Sequence, residues 1–123
     1  HRFDEAFAIA GDIEKGIAAR TPPYVAKLQS RYELLMGRIL FNQQKYTQAV
    51  EHLQRAKQDT APYNARIRAW ALVRLGMVSD ARKERGKAQD YYSQALNVEG
   101  GEGAAQVEAR KYLNAPYVPP PER

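Results

Sequence analysis

Two stretches of the chain, 21-TPPYVAKLQSRYELLMG-37 and 60-TAPYNARIRAWALVRLG-76, follow one plan. Each begins with threonine, one further residue and Pro-Tyr, continues through a long segment and ends at glycine. Matching residues lie 39 positions apart, and the same offset continues beyond the glycines. It relates Ala49 to Ala88, Leu53 to Tyr92, and Ala56 to Ala95. An offset kept without a gap predicts two structural repeats.

Each repeat is predicted to be a pair of helices. Thr21 and Thr60 are predicted N-caps, because a hydroxyl can accept a hydrogen bond from the first turn of a helix. Pro23 and Pro62 suit that first turn, where the missing N–H of proline is not needed. Apolar residues then recur at helical spacing. They are Leu28, Tyr32, Leu35 and Ile39 in the first repeat, and Ile67, Ala71, Leu75 and Val78 in the second.

The two glycines predict where the paired helices meet. A glycine inside a helix costs about 1 kcal/mol relative to alanine, so Gly37 and Gly76 are expected to allow a close approach of the facing helix. Ala49 and Ala88 follow their glycines by 12 residues in both repeats. The alternative is that these alanines are ordinary helix residues. The constant spacing favours a seam of small residues.

The whole pattern predicts helices at about 2–19, 23–43, 46–58, 63–84, 87–97 and 103–114. The first would be the second helix of a preceding repeat. The last, after the flexible stretch 100-GGEG-103, is placed to cover the exposed end of the array. Residues 1–115 are therefore expected to form one helical domain. The proline-rich residues 116–123 are expected to be an extended or disordered tail.

Composition is typical of a soluble globular protein, with 44% hydrophobic and 27% charged residues among 123. No apolar run approaches the roughly 20 residues needed to span a bilayer. Cysteine is absent, which excludes disulfides and thiol catalysis. The compartment is not assigned by the sequence, with the cytoplasm preferred over export. Because the chain begins with His1, we expect it to be a piece of a longer protein.

No set of catalytic residues can be assembled from the sequence. The histidines are His1 and His52, and His52 is interpreted as an ordinary surface residue beside Glu51. The chain lacks an HExxH helix, a GxSxG elbow and a phosphate-binding GK[ST] loop. We therefore expect no enzymatic activity, no metal and no cofactor.

The seam residues, together with 86-GKAQDYYSQAL-96, resemble the tetratricopeptide repeat (TPR) family, whose signature is a loose pattern of small and large residues over an antiparallel helix pair. The family's unit is usually about 34 residues, and the extra residues are expected at the start of each first helix. Glu33 and Ser79 depart from the family pattern. The resemblance implies an all-α fold, a right-handed α-α superhelix (TPR-like solenoid) of antiparallel helix pairs with a C-terminal capping helix.

The resemblance also implies that the first helices line a concave groove for a partner peptide. The matching residues would form an apolar strip edged by basic groups. They are Arg31, Leu34, Arg38, Phe41, Asn42, Trp70, Val73, Met77 and Lys111, with Asp80 and Val107 beside them. For Leu34, Phe41 and Trp70, packing in the core or between repeats is the alternative interpretation.

The expected function is that of a non-catalytic protein-interaction scaffold, which binds a hydrophobic and acidic segment of a protein partner. One alternative is nucleic-acid binding, since the net charge is +5. The basic stretch 82-RKERGK-87 has no interleaved aromatic residues for base stacking, which argues against it. The other alternative is self-assembly, in which exposed terminal helices stack into a homo-oligomer.

Overall fold

The computed structural model describes residues 24–120, and the regular structure within this range is entirely helical. The expected all-α class is thus confirmed for these residues. The helices are α1 (Tyr24–Asn42), α2 (Tyr46–Gln58), α3 (Ala65–Ala81), α4 (Arg85–Leu96) and α5 (Ala104–Asn114), and a short 3-10 helix (Pro62–Asn64) precedes α3. The helix expected at about 2–19 and the N-cap expected at Thr21 lie outside the described residues.

The start of α3 corrects one prediction. Thr60 is not the N-cap, because the chain first makes the 3-10 turn and α3 begins at Ala65. Asp59 organises this turn instead. Its Oδ1 atom accepts a hydrogen bond of 2.9 Å from the backbone N–H of Ala61, and its other oxygen is bonded by the hydroxyl of Tyr63. These bonds shape the turn that leads into the 3-10 helix, and no side chain caps either the 3-10 helix or α3.

The turns inside the two helix pairs are copies of each other. Gln44 and Lys83, which are 39 positions apart, both take a left-handed backbone conformation, with φ of 60° and 61°. The N–H of Gln44 donates to the carbonyl of Phe41, and the N–H of Lys83 donates to the carbonyl of Asp80, both at 2.9 Å. The repeat therefore extends to backbone geometry.

The predicted seam of small residues is confirmed. Gly37 and Gly76 are buried, and a Cβ atom on Gly37 would lie 2.6 Å from Cδ2 of Leu53. A Cβ atom on Gly76 would overlap the ring of Tyr92. The facing residues have no exposed surface: Ala49, Leu53 and Ala56 on α2, and Ala88, Tyr92 and Ala95 on α4.

The helices form two layers. Each helix packs on the next along the chain, and α3 also contacts both α1 and α5. We call α1, α3 and α5 the first-helix layer. The middle helix α3 holds the centre of the core, where Val73, Leu75 and Val78 are almost completely buried. Among the helices described, none is long and apolar enough to cross a membrane.

Buried amide side chains join each second helix to the following first helix. Asn64 has no exposed surface, and its Nδ2 atom donates to the carbonyls of Ala56 at 3.0 Å and Asp59 at 2.9 Å, at the end of α2. Gln106 on α5 has the same role at the end of α4, where its Nε2 atom lies 3.2 Å from the carbonyl of Leu96. These contacts satisfy helix-end carbonyls that would otherwise be buried without partners.

The interpretation of His52 as a water-facing residue is wrong. Its ring is half-buried between α1 and α2, and its Nδ1 atom lies 2.7 Å from Oε2 of Glu33. Glu33 is only 4% exposed, and it also accepts a hydrogen bond of 2.9 Å from Gln29. Glu33 therefore makes a buried polar contact between the paired helices, and Leu72 is the equivalent residue in the second repeat.

Candidate functional site

The segment after α5 lies against the helices. Ala115 is extended, and the following residues have no helical structure. Tyr117 donates its backbone N–H to Oδ2 of Asp80 at 3.0 Å. Farther along, the carbonyl of Pro120 accepts from Nε2 of Gln44 at 3.4 Å. The tail was expected to be extended or disordered, and its described part is ordered and non-helical. We call residues 115–120 the tail segment.

The ring of Tyr117 is held between two helices. Its centroid lies 5.6 Å from that of Phe41, near the end of α1, and 5.6 Å from that of Tyr112, near the end of α5. The ring is half-buried, and this burial raises the pKa of the Tyr117 hydroxyl above its usual range. Arg74 and Asp80 of α3 complete the surroundings. We call Phe41, Arg74, Asp80 and Tyr112 the tyrosine cleft, and all three helices of the first-helix layer contribute to it.

Asp80 is the polar centre of the cleft. Its side chain is 1% exposed. It accepts hydrogen bonds from Nη1 of Arg85 at 3.0 and 3.1 Å, from the hydroxyl of Tyr92 at 2.7 Å and from Tyr117 N–H. Burial and the bond to Asp80 raise the pKa of Tyr92 far above its usual value. A buried carboxylate is tolerated when it is paired and hydrogen-bonded in this way.

Arg85 connects Asp80 to the end of α5. While its Nη1 atom bonds the carboxylate, its Nη2 atom donates to the carbonyls of Tyr112 at 2.7 Å and Leu113 at 2.9 Å. These carbonyls belong to the last turn of α5, where backbone acceptors lack partners within the helix. The planar fork of a guanidinium suits this double role. Arg85 therefore holds both the cleft and the point from which the tail segment departs.

Arg74 supplies a positive charge that lacks a full set of partners. Its guanidinium carbon lies 5.1 Å from the ring centroid of Phe41, a cation–π arrangement. Burial and the nearby charge of Arg38 lower the pKa of Arg74, which stays protonated at neutral pH. Its Nε atom is buried and finds no acceptor among the described residues. The carboxylate of Glu108 is the acidic group that acts on it electrostatically.

Equivalent positions at the turns of the two repeats hold side chains of different types. Phe41 and Tyr46 pair their rings at 5.9 Å across the turn of the first repeat. The equivalent residues 39 positions on are Asp80 and Arg85, an ion pair. The tail segment contacts both, because the ring of Tyr117 lies 5.6 Å from that of Phe41 and its backbone N–H donates to Asp80. The cleft can therefore recognise an aromatic side chain and the backbone beside it at once.

The nine predicted groove residues are only partly brought together. Phe41 lies in the tyrosine cleft, Arg38 is close to Arg74, and Nζ of Lys111 lies 5.2 Å from the ring of Tyr112. Arg31 and Asn42 are exposed, whereas Leu34 and Trp70 are half-buried against the core. Met77 is buried, and Val73 has no exposed surface. Val73 packs inside the helix layers, so its side chain presents no surface to a bound segment.

Trp70 lies at a different part of the first-helix layer. It lines a pocket of about 300 Å³ with Arg66 and residues 101–105, at the start of α5. The tyrosine cleft is at the opposite end of α3, near Asp80. Trp70 and Phe41 therefore belong to separate regions of the surface that the sequence analysis had joined.

Four residues of this region, Arg74, Arg85, Tyr112 and Tyr117, were not predicted from the sequence. Arg74 could have been found, since it follows Trp70 by one helical turn on the same face. The sequence also contains a signal for Tyr117, because it is the one aromatic residue in the proline-rich tail. For Arg85 and Tyr112 the sequence offers no comparable signal, since their contacts join separate helices.

Comparisons with protein-family models, with curated proteins and with solved structures found no match to this chain. Within residues 24–120, no three acidic or histidine side chains form a group that could hold a metal ion. The feature with the most developed geometry in this range is the tyrosine cleft with its bound tail segment.

Proposed function

We propose that this chain is a protein-interaction module that binds a segment of a partner protein across the first-helix layer. In this proposal the helices form a right-handed α-α superhelix of the TPR kind, with two repeats and α5 as the capping helix. Support comes from the copied seams and turns, and from the contacts of α3 with both α1 and α5. The proposed role includes no catalytic step, metal or cofactor.

The tail segment is the observation that carries the proposal. It lies across the ends of α1 and α3 with an aromatic ring between two other rings and with a backbone N–H on a carboxylate. A surface that holds this non-helical segment offers the same contacts to a segment of another protein. Aromatic anchors in such a cleft often dominate binding energy.

The charges on this surface favour an acidic partner. Arg38 and Lys111 are exposed beside the cleft, and Arg74 has a buried donor without an acceptor. Asp80 is already paired with Arg85, and the carboxylate of Glu108 is the further negative charge that acts on Arg74. An acidic side chain of a partner could pair with Arg74 and Arg38, whereas a basic one would be repelled. A hydrophobic and acidic segment therefore fits best.

Selection from a random peptide library tests this proposal. Peptides selected on the wild-type chain would be measured by fluorescence anisotropy against Arg38→Glu. The control is Lys87→Glu, which makes the same charge reversal at an exposed site on α4, in the other layer. We expect selected peptides to carry aromatic and acidic residues and to bind Arg38→Glu at least about tenfold more weakly than the other two proteins, since close charge pairs are worth about 1.5 kcal/mol or more.

Equal binding of the selected peptides to all three folded proteins would contradict the proposal, as would a selection that yields no binder. Single-stranded DNA would be tested in parallel. Binding of DNA whose affinity falls steeply with salt would favour the nucleic-acid alternative instead.

A further inference from the structure

We infer that the tyrosine cleft is a recognition site for a tyrosine on a proline-containing partner segment, and that Tyr117 fills it as a built-in competitor until such a segment displaces it. This inference rests on the proposed function, which it makes specific. It assigns the partner's anchor residue, and it also assigns the tail segment as the ligand that the partner must replace.

The contacts of Tyr117 define the requirements for the anchor residue of a partner segment. Its ring must fit between Phe41 and Tyr112, which meet the Tyr117 ring at interplanar angles of 48° and 89°. Its backbone must provide an N–H to Asp80, so proline is excluded at this position. The preceding Pro116 restricts the approach of the backbone to the cleft. A Pro-Tyr pair in an extended segment meets all three requirements.

The tail segment is held mainly by this one anchor. Tyr117 is half-buried, whereas Val118, the next residue, is 77% exposed. Farther along, the hydrogen bond from Gln44 to the carbonyl of Pro120 is long and exposed. The seams of the two helix pairs are formed by α1 to α4 alone and include no residue of the tail segment. The tail segment can therefore leave the cleft while the helices stay folded.

A partner segment can make one contact that the tail segment does not make, an ion pair with Arg74. Residues 115–120 contain no acidic side chain, so the tail segment leaves Nε of Arg74 without an acceptor. A segment with an aspartate or glutamate beside its tyrosine could pair with Arg74 and with Arg38. Such a pair would offset the advantage of the tethered tail, whose effective concentration is in the millimolar range for a short linker.

The test uses the full chain in three forms: wild type, Tyr117→Ala and Val118→Ala. The probe is a fluorescein-labelled peptide with the sequence of residues 114–120, NAPYVPP. We expect the probe to bind Tyr117→Ala at least about tenfold more tightly than wild type or Val118→Ala, because only the first has an empty cleft. A probe with alanine in place of its tyrosine should bind none of them. Equal binding to all three proteins, or no binding to a Tyr117→Ala chain with unchanged helical circular dichroism, would overturn the inference.

A second measurement follows the tail segment of the wild-type chain directly. In the wild-type chain, hydrogen exchange at the Tyr117 amide should be slowed by its bond to Asp80. A second peptide, the probe with Val118→Glu, should restore fast exchange at this amide when added in excess, while the amides of α1 and α2 stay protected. Unchanged exchange at a concentration that saturates the Tyr117→Ala chain would show that no partner displaces the tail segment.

The proposed interaction module and the recognition of tyrosine by the cleft can be disproved independently. If library peptides depend on Arg38 while NAPYVPP does not bind Tyr117→Ala, the chain is an interaction module but the cleft does not recognise tyrosine. If NAPYVPP binds Tyr117→Ala and no foreign peptide displaces the tail segment, the cleft serves the tail segment alone and the proposed partner site is contradicted.

Discussion

Single residues set how closely the helices of each pair approach. Gly37 and Gly76 leave room for Leu53 and Tyr92, and each of these large side chains is completely buried against the missing Cβ. Tyr92 is further restrained, since its hydroxyl is bonded to Asp80. The second seam is therefore connected directly to the tyrosine cleft.

We predict that Gly76→Ala destabilises the protein. The added methyl group would overlap the Tyr92 ring, which cannot move away without losing its bond to Asp80. Overpacking of a core costs about 1–3 kcal/mol, and the helix propensity of alanine returns about 1 kcal/mol. The net free energy of unfolding should fall, and urea denaturation followed by circular dichroism measures it.

Gly86→Ala is the matched control. Gly86 is exposed near the start of α4, and a Cβ atom there would meet nothing within 4 Å. Its free energy of unfolding should therefore stay the same or rise by up to about 1 kcal/mol. If both substitutions changed stability in the same direction and by similar amounts, the close contact at Gly76 would be disproved.

Because three tyrosine side chains are buried or half-buried, we predict that the protein loses stability in alkali. The pKa values of Tyr92, Tyr112 and Tyr117 are raised, in each case chiefly by burial. A group whose pKa is higher in the folded state contributes stability that is complete below its unfolded pKa, about 10 for tyrosine. This contribution is lost as pH rises from there through the folded pKa, because the unfolded chain ionises first. The free energy of unfolding should therefore decrease above about pH 10.

Ultraviolet absorbance of tyrosinate provides the check. In the native chain part of the absorbance change should occur at higher pH than in the chain unfolded by urea, where all eight tyrosines titrate near their ordinary value. Coincident titration curves for the two states would show that these rings are not buried as described.

At the scale of elements, Arg85 holds the end of α5 in place. We predict that Arg85→Lys loosens α5 and the tail segment while the first helix pair stays intact. Lysine is a compact charge without the planar fork, so it cannot serve Asp80 and two carbonyls together. Hydrogen exchange of the α5 amides and of Tyr117 should become at least about tenfold faster, as expected for the loss of about 1.5 kcal/mol.

The control for this substitution is Arg82→Lys, because Arg82 is exposed and bonds the hydroxyl of Thr47. Its exchange pattern should match that of the wild type. Faster exchange spread evenly over all helices in Arg85→Lys would mean a general loss of stability, and would contradict a local role for Arg85.

Element positions were predictable where the signal was local and repeated. Apolar periodicity and the offset of 39 residues were enough to place the paired helices and the seams. Apolar periodicity and the repeat gave no correct prediction where neighbouring polar side chains compete for the same role or pair with each other. Asp59 shapes the turn where Thr60 was expected to cap a helix, and Glu33 and His52 form a buried contact although such residues usually face water.

At the scale of the whole molecule, the candidate site was harder to predict. Phe41 and Arg38 were found because their positions on the first helix imply a shared surface. The bond between Tyr117 and Asp80 joins residues 37 positions apart, and neither residue has a counterpart of the same type 39 positions away. Neither helical spacing nor the repeat could reveal this contact, which depends on how α5 closes over α3.

In this molecule the tail segment lies across the first-helix layer, with Tyr117 in the cleft. Nuclear Overhauser contacts in the full chain in solution test this most directly. We predict cross-peaks from the Tyr117 ring to the rings of both Phe41 and Tyr112, whose centroids are each 5.6 Å away. Random-coil chemical shifts for Tyr117, with no cross-peak to either ring in a chain whose helices are formed, would contradict it.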